Sequence, residues 1–303
     1  MSIRFDGRVA IVTGAGNGLG RQHALALAER GAKVVINDLG VTRDGSGGSL
    51  SIAQQVVAEI AAAGGTAVAN SASVTDAKAV EDMVAVTMAS FGRVDILINN
   101  AGILRDKSFA KMSIEEFRAV IDVHLRGAMI CTKAVWEIMR AQNYGRIIMT
   151  TSASGLYGNF GQSNYGAAKM ALVGLMQTLS IEGAKNNVHV NCLAPTATTR
   201  MTGDILPAPV HQHFKPEFVT PAVIFLASEQ APTRCIMTAG AGTFATANVT
   251  LTQGTHLGHD PETPEKISAA FAAIATRQGE IIPKSGAEQG QNELTKRGVN
   301  STV

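Results

Sequence analysis

Charge of either sign is scarce in this chain. Its 303 residues include 26 lysines and arginines against 24 aspartates and glutamates, a formal net charge of +2, and charged residues make up only 17% of the whole. So small a surplus provides no basic field for nucleic acid or an anionic membrane, and neither is expected as a partner. Cysteine is rarer still. Cys131, Cys192 and Cys235 are odd in number and far apart, which excludes a disulfide framework and suits small core residues in a reducing compartment. His256, His259 and Asp260 form one loop cluster without a fourth ligand, so no metal is expected. There is no apolar run of membrane-spanning length. The opening MSIRFDGRVAIV lacks the apolar region of a signal peptide, and the closing Ser301-Thr302-Val303 is not a peroxisomal address. The expectation is a cytoplasmic protein acting on a small molecule.

What is abundant is apolar sequence, 46% of the chain, cut into short pieces by glycine. The run from Arg8 to Thr13 is β-branched and uncharged after its first residue, as in a strand buried on both faces. Thr13-Gly14-Ala15-Gly16-Asn17-Gly18-Leu19-Gly20 follows at once, and alanines and leucines then recur at helical spacing over 21–30. A glycine turn between strand and helix lets backbone approach a pyrophosphate, which the N–H groups and dipole of the helix N-terminus stabilise. Residues 32–37 read as a second buried strand ending at Asp38. A carboxylate there can accept hydrogen bonds from the adenosine ribose and would repel a 2′-phosphate, which favours NAD over NADP. Its alternative role is a loop carboxylate or helix cap. Arg43 is the nearest cation, within a polar glycine-rich insertion at 41–49 that reads as a mobile loop beside the cofactor.

Further strands are expected at 66–70, 94–98, 146–151, 188–193 and within 234–242, alternating with helices at 50–63, 76–90, 163–183 and 221–228. Residues 113–141 hold two helices or one bent helix. This alternation predicts an α/β fold: a single Rossmann-type, doubly wound parallel sheet with helices on both faces, and ligands outside the carboxyl ends of the strands. Ser73 and Val74 after the third strand are expected near adenine. Asn100, Ala101 and Gly102 after the fourth are expected beside a ribose. The catalytic and cofactor-binding domain is expected to span 1–258, followed by a partly helical extension at 259–303. In that extension 263–278 can form a helix and 286–291 reads as too polar to pack. From about 196 to 218 the pattern fails. Pro207, Pro209 and Pro216 break any helix, while Met201, Ile205, Leu206 and Phe214 offer apolar surface, the composition of a substrate lid or of a surface loop.

The stretch TTSASGLYGNFGQSNYGAAKM at 150–170 carries the chemistry. Tyr165 and Lys169 lie four apart, on one face of a helix, and a fixed ammonium lowers a phenol pKa toward the range of general acid–base work. Ser152, at the end of a strand, can hold the same substrate oxygen. A lone Tyr-x-x-x-Lys pair is usually surface decoration. His124, by pattern alone, is a core histidine satisfied by backbone carbonyls.

Taken together, T-G-x-x-x-G-x-G at 13–20, N-N-A-G at 99–102, and a serine thirteen residues before Y-x-x-x-K resemble the short-chain dehydrogenase/reductase family over most of 8–195. NDLG at 37, GILRDKSFA at 102, VHLRG at 123 and APTATTRMT at 194 further resemble the branch of (3R)-hydroxyacyl-CoA dehydrogenase domains. The resemblance implies that Tyr165 is the general base in oxidation, that Ser152 orients the substrate oxygen, and that Lys169 lowers the tyrosine pKa. The nicotinamide ribose would lie on Tyr165 and Lys169, and the ring beside Pro195 and Thr196. His124 stands where the wider family usually has an asparagine in the proton relay, Thr196 where it often has glycine, and Ser73 where it usually has aspartate. The implied activity is NAD-dependent oxidation of a secondary alcohol, a fatty-acyl or steroid side-chain 3-hydroxyacyl-CoA. The alternatives are a free 17β-hydroxysteroid, reduction of a 3-oxoacyl carrier protein, or a dinucleotide-binding protein without catalysis. A homodimer or homotetramer joined through the helices near 118–141 and 163–183 is also implied.

Overall fold

Short apolar runs separated by helix-length stretches become parallel strands. In the computed structural model, which describes residues 2–42, 44–199 and 208–299, the chain begins β1 (Val9–Thr13), α1 (Gly18–Glu29), β2 (Lys33–Asn37), α2 (Ser51–Ala62), β3 (Thr66–Asn70), α3 (Ala77–Phe91) and β4 (Ile96–Asn99). It continues α4 (Ile114–Ile121), α5 (Gly127–Gln142), β5 (Gly145–Thr150), α6 (Ala153–Tyr157), α7 (Ser163–Gly183), β6 (Val188–Pro195), α8 (Thr220–Ala227), β7 (Ile236–Gly240) and β8 (Thr243–Ala247). The sheet order is β3-β2-β1-β4-β5-β6-β7-β8. β1 pairs in parallel with β2 on one side (Val12↔Ile36) and β4 on the other (Val12↔Ile98), so the strand order reverses between β1 and β4. This is the switch point at which doubly wound sheets bind ligands.

Burial accounts for the strand composition. Every residue of β1, β4 and β5 is buried, and Ile11, Ile96, Leu97 and Ile147 are inaccessible to solvent. The N-terminal edge of the sheet is pinned by charge: buried Asp95 accepts hydrogen bonds from Arg8 Nη1 at 3.0 Å, Arg93 Nε at 2.7 Å and Val9 N at 2.9 Å. Helix ends follow local chemistry. Asp76 caps α3 through Ala79 N, Gly92 ends it in the left-handed region (φ 78°), and Ser113 and Glu116 form a capping box on α4.

The structure supplies the detail of three expectations. The helical stretch after Ser113 is one run of α4 and α5 joined by a π-helical turn, Asp122–Arg126, that carries His124; such turns insert an extra residue and redirect the side chains around it. The single last strand is a pair. The two residues between β7 and β8, Ala241 (φ 51°) and Gly242 (φ 72°), both have positive φ, as a tight hairpin requires. The stretch from Gly286, expected to be too polar to pack, begins the helix α10 (Gly286–Lys296), although that helix buries no residue.

The chain divides into two compact units, Met1–Thr246 and Ala247–Val303. The boundary falls twelve residues before the one expected at 258. The second unit contains α9 (Thr263–Ile274), α10 and a bridge between Leu251 and Ile281, and neither of its helices buries a side chain. Of the lid expected at 196–218, residues 200–207 lie outside the described residues, including Met201, Ile205, Leu206 and Pro207; so does Arg43. The described remainder forms 3-10 turns at Ala208–His213 and Pro216–Phe218, and Thr198 N donates to Phe214 O at 2.6 Å. No helix among the described residues is long and apolar enough to cross a membrane.

Candidate functional site

The turn after β1 is too crowded for side chains. A Cβ on Gly20 would lie 2.2 Å from Gly14 O, and one on Gly16 would lie 2.4 Å from Ile52 Cγ2 and 2.8 Å from Asp38 Oδ2. Bare backbone brings α1 directly against the turn. Asn17, its N-cap, makes no side-chain capping bond, so the first N–H groups of α1 remain for an anion. Asp38 closes the other side: Oδ2 accepts from Gly16 N and Oδ1 from Gly40 N, both at 2.7 Å. At the end of β4, Asn100 Nδ2 donates to Thr13 O and Gly14 O at 3.0 Å, fastening the N-N-A-G run to the glycine turn.

These strand ends enclose a cavity of about 460 Å³. Its walls include Gly14, Asn17, Gly18, Leu19, Asp38, Ser73, Val74, Asn100, Ala101 and Gly102, ten of the positions singled out from sequence. Gly20 serves packing instead. Pro195 ends β6, and Thr196 N donates to Ala239 O at 2.8 Å, outside the lining. Thr42 and Gly45, from the loop expected beside the cofactor, and Thr199, from the expected lid, also line the cavity; the sequence reading missed Arg105, Asp122 and Arg126. Arg105 sits inside the GILRDKSFA stretch, but nothing in its spacing distinguishes it from an ordinary surface arginine.

The second cluster stands at the ends of β5 and the start of α7. Ser152 caps α6 through Ser154 N (3.2 Å), and its hydroxyl is near enough to Tyr165 to pull the phenol pKa down slightly. Lys169 is buried; Nζ lies 5.4 Å from the Tyr165 ring centroid and donates to Thr150 O at 2.5 Å. His124 meets the Tyr165 ring edge-on, with centroids 5.2 Å apart. Its Nε2 lies 2.8 Å from Ile103 O and 3.1 Å from Ile103 N, and its Nδ1 is buried without a protein partner. Lys169 and His124 line a small cavity of about 10 Å³ that shares Val74, Ala101 and Val123 with the larger one.

Electrostatics here differ from the expectation of a lowered tyrosine. Burial pushes Tyr165 up to about 12, against a smaller downward pull from the Ser152 hydroxyl, and burial brings Lys169 down to about 7. Desolvation dominates at both groups and favours their neutral forms. His124 is held well below its ordinary value, chiefly by burial and then by Lys169, so it is a neutral imidazole. Cys131 and Cys192 are buried and pushed up to about 12 and further, which removes them as nucleophiles. No three histidine, cysteine, aspartate or glutamate side chains converge as metal ligands among the described residues.

Comparison with known proteins follows this geometry. The short chain dehydrogenase family profile matches residues 8–208. Peroxisomal multifunctional enzyme type 2 of Mus musculus is 55% identical over 227 residues, 75% of this chain; the chain spans only 30% of that enzyme's length. The crystal structure of a short chain dehydrogenase from Mycobacterium avium superposes with a TM-score of 0.78 at 40% identity, covering 90% of this chain and 97% of that one. A 7α-hydroxysteroid dehydrogenase complexed with NADH and 7-oxo glycochenodeoxycholic acid gives a TM-score of 0.71 at 27% identity, covering 79% of this chain and 95% of that one.

Proposed function

The chain belongs to the short-chain dehydrogenase family, and on that premise we propose that it oxidises the 3-hydroxyl of a hydroxyacyl-CoA thioester with NAD as acceptor. The observation that carries this reading is that Tyr165 packs against His124 and Lys169, which line a small cavity sharing Val74, Ala101 and Val123 with the larger one that Asp38 lines.

The residues present fit a dinucleotide. Gly14, Asn17, Gly18 and Leu19 of the glycine turn line the cavity, Asn17 makes no side-chain capping bond at the start of α1, and the Asp38 carboxylate faces the turn. In this reading α1 receives the pyrophosphate, Asp38 the adenosine ribose, and Asn100, Ala101, Tyr165 and Lys169 the nicotinamide ribose, with Ser73 and Val74 near the base. Pro195 and Thr196 border the ring. A carboxylate at position 38 makes the cofactor NAD rather than NADP. Bound there, the dinucleotide supplies a hydride acceptor for the carbinol carbon. The chain itself handles the proton. Ser152 Oγ holds the substrate oxygen, and Tyr165 Oη, once it has released its own proton to water in the liganded site, takes the hydroxyl proton as that oxygen becomes a carbonyl. Lys169, when protonated, stabilises the negative charge that forms on Tyr165. His124 fixes the ring of Tyr165 by its edge contact and is itself tied to Ile103.

The test is NADH absorbance on mixing the protein with NAD or NADP and (3R)- or (3S)-hydroxyacyl-CoA, a steroid side-chain CoA ester or a free 17β-hydroxysteroid. Turnover with NAD and one CoA stereoisomer is the expected result. Turnover on free steroids alone removes the thioester assignment, and NAD binding without any turnover removes catalysis.

The same reading makes the protein a homodimer or homotetramer. Ala167, Met170, Gly174, Thr178 and Ile181 form an exposed, uncharged stripe on α7 that suits a second copy, and light scattering reads the count. The cytoplasm is the proposed location, although the mouse relative's name is peroxisomal, and cell fractionation decides between them.

A further inference from the structure

The glycine-rich insertion after β2 is folded upon itself. Ser49 N donates to Leu39 O at 3.0 Å, closing its base, and Thr42 N donates to Ser46 O at 2.8 Å. The Asp44 carboxylate gathers Thr42 Oγ1 (2.6 Å), Ser46 Oγ (2.8 Å) and Ser46 N (3.1 Å). Its tip rests on the strand-four side of the cavity, since a Cβ on Gly45 would lie 3.3 Å from Ile103 Cγ2. Leu39, Val41, Thr42 and Gly45 all line the cavity, continuing the wall that Asp38 begins.

One side chain ties this loop across the cavity. Arg105 donates from Nε (3.3 Å) and Nη2 (3.2 Å) to the same acceptor, Asp44 O. The backbone of Arg105 points the other way: its carbonyl accepts from Asn164 Nδ2 at 3.0 Å, and Asn164 Oδ1 accepts from Tyr165 N at 2.7 Å. Asn164 is completely buried, so that link is shielded from competing water. A single residue therefore grips the cofactor-side loop with its side chain and the start of the catalytic helix with its backbone.

We propose that Arg105 is a positioning residue whose guanidinium latches the described loop residues, 39–42 and 44–49, over the adenosine side of the cofactor cavity. The proposal rests on the dinucleotide reading given above. A loop rich in glycine has many open conformations and closes at an entropic cost, which the two-pronged contact from Arg105 offsets. Releasing the latch lowers the closed population before ligand arrives. Apparent affinity falls by the same fraction, so a closed population of about 10–20% weakens binding roughly five- to tenfold.

Because the backbone carbonyl survives substitution, Arg105→Met separates the two grips. Isothermal titration of the full-length protein with NAD, AMP and nicotinamide mononucleotide provides the readout. Arg105→Met should weaken NAD and AMP by about five- to tenfold and leave nicotinamide mononucleotide unchanged. Arg105→Lys, which offers one ammonium to the same carbonyl, should recover part of the loss. Amide hydrogen exchange at residues 44–48 should accelerate in Arg105→Met without a change in melting temperature. Unchanged NAD and AMP binding overturns the proposal, as does an equal loss for nicotinamide mononucleotide. Wild-type protein that binds no NAD removes the dinucleotide reading and this proposal together; wild-type binding with unaltered Arg105→Met removes the proposal alone.

Discussion

Adding one methyl group at Gly102 tests the geometry around Tyr165 more sharply than removing any catalytic atom. A Cβ at Gly102 would lie 2.3 Å from His124 Cε1 and 3.1 Å from both ring nitrogens. Carbon atoms rest about 3.5–4.0 Å apart, so the imidazole would have to withdraw by more than about 1 Å. It has nowhere easy to go. The ring is 3% exposed, its Nε2 is held at Ile103, and its face meets the edge contact with Tyr165. Overpacking of this kind costs about 1–3 kcal/mol, and loss of the buried hydrogen bond adds about 1–3 kcal/mol. Gly102→Ala should therefore destabilise by about 2–6 kcal/mol and lower the melting temperature by about 3–10 °C. Turnover should fall at least about tenfold as Tyr165 follows the ring. His124→Asn, a smaller side chain, makes room for the methyl group. Urea unfolding of wild type, both single variants and Gly102→Ala/His124→Asn should show the double variant more stable than the sum of its parts by about 1 kcal/mol or more. A Gly102→Ala protein within about 0.5 kcal/mol of wild type with full turnover would refute the steric argument, and so would strict additivity.

Tyr165→Phe keeps the ring against His124 and deletes only the phenol oxygen, so turnover should drop by about 10²–10⁴ while calorimetric NAD affinity changes little; retained activity assigns the proton to another group. Asp38→Arg replaces the acceptor of Gly16 N and Gly40 N with a cation, and the ratio of kcat/KM for NAD to that for NADP should invert; an unchanged ratio ends the role given to Asp38. Burial brings His23 down to about 3 from 6.5, so the native protein keeps it neutral while the unfolded chain takes a proton. Its contribution to stability is complete above pH 6.5 and is lost as pH falls toward 3, by up to about 1.4 kcal/mol per pH unit. His23→Gln should flatten that acid limb in urea titrations at successive pH values, and equal slopes would exonerate His23.

The parts of the fold legible in sequence were those in which one physical demand dictates composition. Strands buried on both faces must be short, apolar and β-branched, and β1 through β6 fall close to the expected runs. The glycine turn is legible for a similar reason, because backbone contacts of 2.2 Å to a hypothetical Cβ leave no other residue possible at Gly20. What escaped was set by contacts distant in sequence. The π-helical turn at Asp122–Arg126 keeps the apolar spacing of an ordinary helix; His124 within it was singled out only through the family resemblance, and its contacts with Ile103 and Tyr165 follow from the fold. Arg105 escaped because its partner, a backbone carbonyl 61 residues earlier, leaves no mark on side-chain spacing. The pKa expectation for Tyr165 weighed a neighbouring charge, which sequence reveals, without the burial, which it does not.

Parallel pairing is what turns scattered motifs into a site. With β2, β1, β4, β5 and β6 adjacent and pointing the same way, their carboxyl ends share one edge, and the residues immediately after them must meet there. Gly14 follows β1, Asp38 follows β2, Asn100 follows β4, Ser152 lies just beyond β5, and Thr196 follows β6. That convergence also buries Lys169, whose ammonium finds only a carbonyl, Thr150 O, among the protein's hydrogen-bonding groups described around it. The arrangement that brings Tyr165 and Lys169 to the strand-end edge is therefore the one that drives Lys169 down to about 7 and Tyr165 up to about 12. A charged Tyr165–Lys169 pair is costly until further polar groups reach it.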